Sequence, residues 1–95
     1  MATTRALDHF ILNYVHQDFA ALFGSTDGAV DTFVSESPLA RDLPRDIDAL
    51  LLTEPDEASV RDRLGELGIG FDPGDLGYRG WLQEIADRVR AATGA

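Results

Sequence analysis

The sequence predicts an all-α fold: a compact bundle of five or six short helices, with residues 1–95 forming one domain. Three observations predict it. Apolar residues recur at i, i+3, i+4 and i+7 along most of the chain. Residues that start or stop helices stand between those stripes. No run of four to eight residues alternates with period two outside the glycine-rich stretch 68–77, where 69–72 is a candidate extended piece. Of the 95 residues 44% are apolar, enough for one core.

The first stripe is Leu7, Phe10, Ile11 and Tyr14. At about 100° per residue the same face next shows Asp18. Either the helix breaks near His16-Gln17 or Asp18 is buried with a partner. The break is favoured, with Asp18 then capping a short second helix over 19–23 that Gly24 ends. Ser25-Thr26-Asp27-Gly28 reads as a turn containing caps. Val30, Phe33 and Val34 mark a third helix, ended at Ser37 because the residue before a proline is biased out of the helical region. Leu43, Ile47, Leu50 and Leu51 carry the next helix. Pro44 fits only its first turn, so the start falls near Asp42. Thr53-Glu54-Pro55-Asp56 stops that helix and starts another, with Thr53 or Asp56 as cap. Val60, Leu64 and Leu67 give the next stripe, Glu57 and Arg61 a supporting i,i+4 pair, and Gly68 a C-terminal stop. Residues 68–77 are the longest irregular stretch. In the last helix Tyr78, Trp81, Ile85, Val89 and Ala92 share one face, flanked by Leu82 and Ala86.

Eight Arg, no Lys and 17 Asp plus Glu leave a net charge of −9. It is spread evenly, −4 over residues 1–47 and −5 over 48–95. Such a surface repels phosphate backbones and the anionic membrane leaflet, so neither nucleic acid nor membrane is an expected partner. The charge exceeds the roughly 2–8 units that serve solubility in a small domain, which makes a basic partner plausible. No Cys is present, which excludes a disulfide framework, a thiolate zinc site and a thiol nucleophile. No apolar run is long enough to span a bilayer, and Met1–Arg5 does not open a signal peptide; a cytoplasmic protein is expected.

Tests for chemistry lead to no catalytic residue, no cofactor site and no metal site. His9 and His16, the two histidines, would stand roughly 10 Å apart along one helix, too far for one metal. The serines lie beside caps and turns, without a nucleophile elbow. The glycines at 68, 70, 74 and 77 lack the Lys and Ser/Thr of a phosphate loop, and Asp72 and Asp75 would repel phosphate. Paired carboxylates are unavoidable at this composition, but no sugar-sized cleft is expected in so small a domain. Trp81 is read as core, with an exposed binding anchor as the alternative.

Several segments together carry a resemblance. They are Tyr14-Val15-His16-Gln17-Asp18-Phe19, then Asp46-Ile47-Asp48-Ala49-Leu50-Leu51, then Leu64-Gly65-Glu66-Leu67-Gly68, then Tyr78-Arg79-Gly80-Trp81-Leu82. Their order and spacing resemble bacterial contact-dependent growth inhibition immunity proteins, over about residues 7–91. Departures are Val15 where Phe is frequent, Phe19 where Trp is frequent and Asp46 where Glu is usual, all conservative in packing. The resemblance implies a bacterial cytoplasmic protein that is not an enzyme. Such a protein binds the C-terminal domain of a toxin delivered by a neighbouring cell and neutralises it; toxins of such systems are often basic nucleases. A different reading is an acidic adaptor or antitoxin for a basic partner inside one cell. Tyr14, His16, Gln17, Asp18, Tyr78 and Trp81 are read as fold determinants. Toxin contact is expected on the exposed acidic faces and in the 68–77 loop, at Asp72 and Asp75. A monomer is expected before toxin binding.

Overall fold

The computed structural model describes residues 5–15, 26–69 and 73–94. Among these residues the fold is all-α. Five α-helices follow in order: α1 (Arg5–Tyr14), α2 (Thr26–Glu36), α3 (Leu43–Thr53), α4 (Glu57–Glu66) and α5 (Gly77–Thr93). Two 3-10 turns, Pro38–Asp42 and Gly74–Leu76, lead into α3 and α5. The short helix expected over 19–23 and its cap Asp18 lie outside the described residues.

Helix α5 is the hub, touching α2, α3, α4 and both 3-10 turns. It buries Trp81, Leu82, Ile85, Ala86 and Val89. The other helices bring their own stripes to the same core: Leu7, Phe10 and Ile11; Val30 and Phe33; Leu43, Ile47 and Leu50; Val60 and Leu64. Val15, just past α1, is buried as well. Trp81 is 4% exposed and meets Tyr78 edge-on, with ring centroids 6.3 Å apart. Between α1 and α2 the rings of His9, Phe10, Tyr14 and Phe33 cluster, the closest pair being Tyr14 and Phe33 at 5.0 Å. His9 is thus a packing residue, and Asn13 donates to its carbonyl at 2.9 Å.

Local signals end the helices where the sequence places them. Ser37 is extended before Pro38 (φ −119°, ψ 130°), and Glu54 is extended before Pro55. After α4, Gly68 takes φ +83° and donates to the Gly65 carbonyl, while the Ile69 N–H reaches back to Leu64. That pair of bonds is a Schellman closure, and glycine is favoured there by the left-handed backbone.

Five expectations are corrected. Thr26-Asp27-Gly28 is the first turn of α2, not a turn before it; burial of Ala29, Val30 and Phe33 outweighs the low helix propensity of Gly28. Residues 38–42 form a 3-10 turn that the apolar pattern did not signal, opened by the Ser37 hydroxyl accepting from the Leu39 N–H. Within the stretch 68–77, read as irregular, Gly68 and Ile69 close α4 and Gly74–Leu76 form a 3-10 turn; of the candidate extended piece 69–72 only Ile69 is described. Ala92 is exposed, because α5 runs one turn past the core. Of the two candidate caps of α4, Asp56 holds the N-cap position with an extended backbone but no side-chain cap bond, and Thr53 does not cap it: its hydroxyl bonds back to Ala49 and Leu50.

One buried charge organises the packing. Asp46 of α3 is 1% exposed, and its carboxylate accepts the backbone N–H groups of Ala6 (2.8 Å) and Leu7 (3.2 Å) in the first turn of α1. The cap of α1 therefore comes from a residue 40 positions away. Burial holds the Asp46 carboxyl above the ordinary value of 3.8, and the two N–H donors oppose that rise without cancelling it.

Two outcomes follow from this packing. Asp46→Ala leaves two helix-start N–H groups buried and unbonded, and should cost about 1–3 kcal/mol in urea denaturation. Because the folded carboxyl holds its proton more tightly than the unfolded one, ionising it costs stability. The stability of the wild type relative to Asp46→Asn should therefore fall as pH rises from 3.8 through the folded-state value. A relative stability that rises over that window would mean that the N–H donors outweigh burial. Trp81→Ala should cost about 3–5 kcal/mol, and an unchanged thermal midpoint would contradict its place in the core.

Candidate functional site

The surface is built around arginines that are mostly engaged within the fold. Arg88 of α5 forms a two-bonded fork with Asp31 of α2, both bonds 2.9 Å, with Asp27 at 3.9 Å. Its hydrogen bond holds the Asp31 carboxyl below the ordinary carboxylate value. Arg90 bonds Asp48 of α3 at 2.6 Å and stands 3.8 Å from Asp87. Arg63 faces Asp8 across α4 and α1, and Arg45 faces Asp42 within its own turn.

Arg79 and Glu57 close helix ends instead. The Arg79 guanidinium donates to the carbonyls of Glu54 (2.5 Å) and Leu51 (3.3 Å) at the end of α3. The Glu57 carboxylate accepts the N–H groups of Tyr78 (2.7 Å) and Arg79 (3.1 Å) at the start of α5. The expected Glu57–Arg61 pair is thereby corrected: the better donors, two unbonded helix-start N–H groups, take the carboxylate. Gly77 permits this approach. Its φ is +75°, and a Cβ there would lie 3.0 Å from Glu57 Oε1.

Acidic charge is left over. Among the described residues, and setting aside Asp46, Glu57 and Arg79, whose charges bond backbone groups, Glu36, Glu54, Asp56, Asp62, Glu66, Asp75 and Glu84 form no ion pair, against Arg5, Arg41 and Arg61 on the positive side. Glu54, Asp62 and Glu66 line one groove of about 230 Å³ with Ser59 and Arg63. Asp27 and Glu84 flank another of about 230 Å³, floored by Trp81 and Ile85. A third concavity, about 460 Å³, lies between the end of α2 and the end of α5 and carries one charge of each sign, Glu36 and Arg41. None of these three grooves is lined by a histidine that could activate a serine. Among the described residues no group of three or more His, Asp or Glu is placed to share a metal ion.

The sequence-derived site residues fall at separate places. Tyr14 and Tyr78 are half-buried and Trp81 is buried. Burial, with the nearby Glu36 charge, pushes the Tyr14 phenol above its ordinary value and keeps it neutral. Asp75 is exposed in the 3-10 turn before α5. His16, Gln17, Asp18 and Asp72 lie outside the described residues. Sequence reasoning missed the roles of Asp46, Glu57 and Arg79. Their only signal was an acid inside an otherwise apolar stripe and an Arg beside the Trp81 motif. Among the described helices none is long and apolar enough to cross a membrane.

The fold and surface define an all-helical protein whose outer face carries an uncompensated excess of carboxylates. Residues 3–89 match the family model described as CdiI immunity protein, and the chain belongs to that family. No curated protein and no solved structure matches it.

Replacing Glu57 by Ala should cost about 1 kcal/mol through loss of the α5 cap. Gly77→Ala should cost about 1–2 kcal/mol from the left-handed backbone alone. The double variant should lose less than the two together, since removing the carboxylate also removes the clash; additive losses in a denaturant cycle would contradict the contact.

Proposed function

We propose that this chain, acting as one domain over residues 1–95, neutralises a cognate toxin of contact-dependent growth inhibition by one-to-one binding, without catalysis. It acts in the bacterial cytoplasm as a monomer that meets the toxin's C-terminal domain and engages neither nucleic acid nor membrane. The toxin domain is a basic nuclease. Family membership makes the chain an immunity protein. The single observation that carries the finer reading is the carboxylate excess left after the arginines are paired, on a chain of net charge −9. A nuclease must grip phosphates, so its cleft is positive and the two fields attract. Tyr14, His16, Gln17, Asp18, Tyr78 and Trp81 serve the fold, while Asp72, Asp75 and the exposed acidic faces meet the toxin.

Co-expression with the C-terminal domain encoded by the adjacent open reading frame tests the reading: growth should be rescued, and no rescue would sink it. With the purified pair, raising salt from 0.1 to 1 M contracts the Debye length from about 10 to about 3 Å. The association rate should fall by about tenfold or more, with a smaller change in dissociation. Salt-independent association would remove the electrostatic part of the account.

A further inference from the structure

The core stripe of α3 (Leu43, Ile47, Leu50, with Leu51 at its edge) leaves one leucine on the opposite side of the helix. Leu52 is 84% exposed, the most exposed large apolar side chain among the described residues. Two others are about half exposed: Leu12 on α1, at 50%, and Leu76, at 48%, in the 3-10 turn before α5. Leu76 lies against the outside of the first turn of α5, where a Cβ on Gly80 would come within 2.9 Å of Leu76 Cδ1. Leu52 and Leu76 belong to the same end of the molecule. Arg79 fastens the start of α5 to the end of α3 through the Leu51 and Glu54 carbonyls. Arg90 fastens the far part of α5 to Asp48, earlier in α3. Helices α3 and α5 therefore lie antiparallel, with Leu52 and Leu76 at their joined ends.

Acids surround this end. Asp75 adjoins Leu76. Asp56 precedes Glu57, whose carboxylate sits on the start of α5. Neither Asp56 nor Asp75 forms an ion pair among the described residues. Exposed apolar side chains with unpaired acids near them along the chain have the composition of a protein-binding surface. The sign of those acids selects a basic partner.

Resting on the immunity reading above, we propose that the outer face of the α3–α5 pair is where the chain seats the basic toxin domain. Leu52 and Leu76 are the apolar anchors, and Asp56 and Asp75 supply the charge. Long-range charge brings the toxin in from any side; this face holds it. At 84% exposure Leu52 buries little of its apolar surface, so it adds little to the stability of the fold.

The test uses the full chain and, as probe, the C-terminal domain encoded by the adjacent open reading frame. Leu52→Ser, Leu52→Glu, Leu52→Arg and Leu76→Ser are compared for thermal midpoint, binding kinetics and rescue of growth. Leu52→Ser should keep the wild-type midpoint and weaken binding by about tenfold or more, mainly through faster dissociation. Leu52→Arg should weaken it further than Leu52→Glu, because the partner is basic. Asp62→Asn with Glu66→Gln, in a different groove, should slow association and leave dissociation unchanged. If the wild type binds and rescues but the Leu52 variants match it in both, the proposal is overturned while the immunity reading stands. If the wild type neither binds nor rescues, both fall. A wild-type dimer in sedimentation that Leu52→Ser dissolves would assign the face to a second copy of the chain and overturn the proposal.

Discussion

The structure depends on charged side chains closing helix ends that are not their own. Each α-helix leaves four N–H groups and four carbonyls unbonded, and in a bundle of short helices those ends are a large share of the backbone. Asp46 of α3 closes the start of α1, Glu57 of α4 closes the start of α5, and Arg79 of α5 closes the end of α3. These bonds link four of the five described helices into one arrangement. Apolar packing is non-directional and would tolerate some sliding of α5 against α3; the Arg79 fork on two carbonyls sets their register. The buried Asp46 is the costly member of the set, since it is taken almost wholly out of water. It is retained where both of its donors lie at a helix start that would otherwise be unbonded.

The same allocation explains the surface. Every basic side chain is an arginine. A planar guanidinium can bridge two carboxylate oxygens, as Arg88 does on Asp31, or two carbonyls, as Arg79 does on α3. Half of the arginines, Arg63, Arg79, Arg88 and Arg90, are thereby placed at joints between helices. Carboxylates outnumber these sites, and the surplus stands in solvent. Acidity on this scale attracts a positive partner over a Debye length but discriminates poorly between positive partners. Discrimination between such partners needs shape and apolar contact at short range.

Asp46 and Arg79 both lie within the segments that carry the family resemblance. In the structure they join helices; Tyr14 packs against Phe33 of α2, and Trp81 and Tyr78 pack in and against the core. Leu52 and Asp75 lie outside those segments and face solvent. Residues that build the fold and residues that meet solvent thus occupy different positions along the same helices. The recognition surface can then change without disturbing the caps.

Much of the fold was legible in the sequence because local chemistry set it. The stripes of Leu7, Phe10 and Ile11, of Leu43, Ile47 and Leu50, and of Trp81, Ile85 and Val89 are helical by spacing. Pro38, Pro55 and Gly68 stop helices through their own backbone preferences, whatever surrounds them. The family was legible too, because its motif residues stand at fixed spacing. Tertiary structure alone decided which acids are buried and which are free. Asp46 and Asp48 sit two residues apart on α3, yet one is sealed beneath α1 and the other bonds Arg90 at the surface. Helical spacing puts Asp46 on the apolar side of α3, but which donors bury it is not written in the local sequence. Likewise Glu57 seemed paired with Arg61 until the start of α5 was packed beside it, and the Gly28 turn became helix only because Ala29, Val30 and Phe33 had a core to enter. A cap or burial that draws its partner from 20 to 40 residues away has no local pattern, because the partner is supplied by the packing of whole helices.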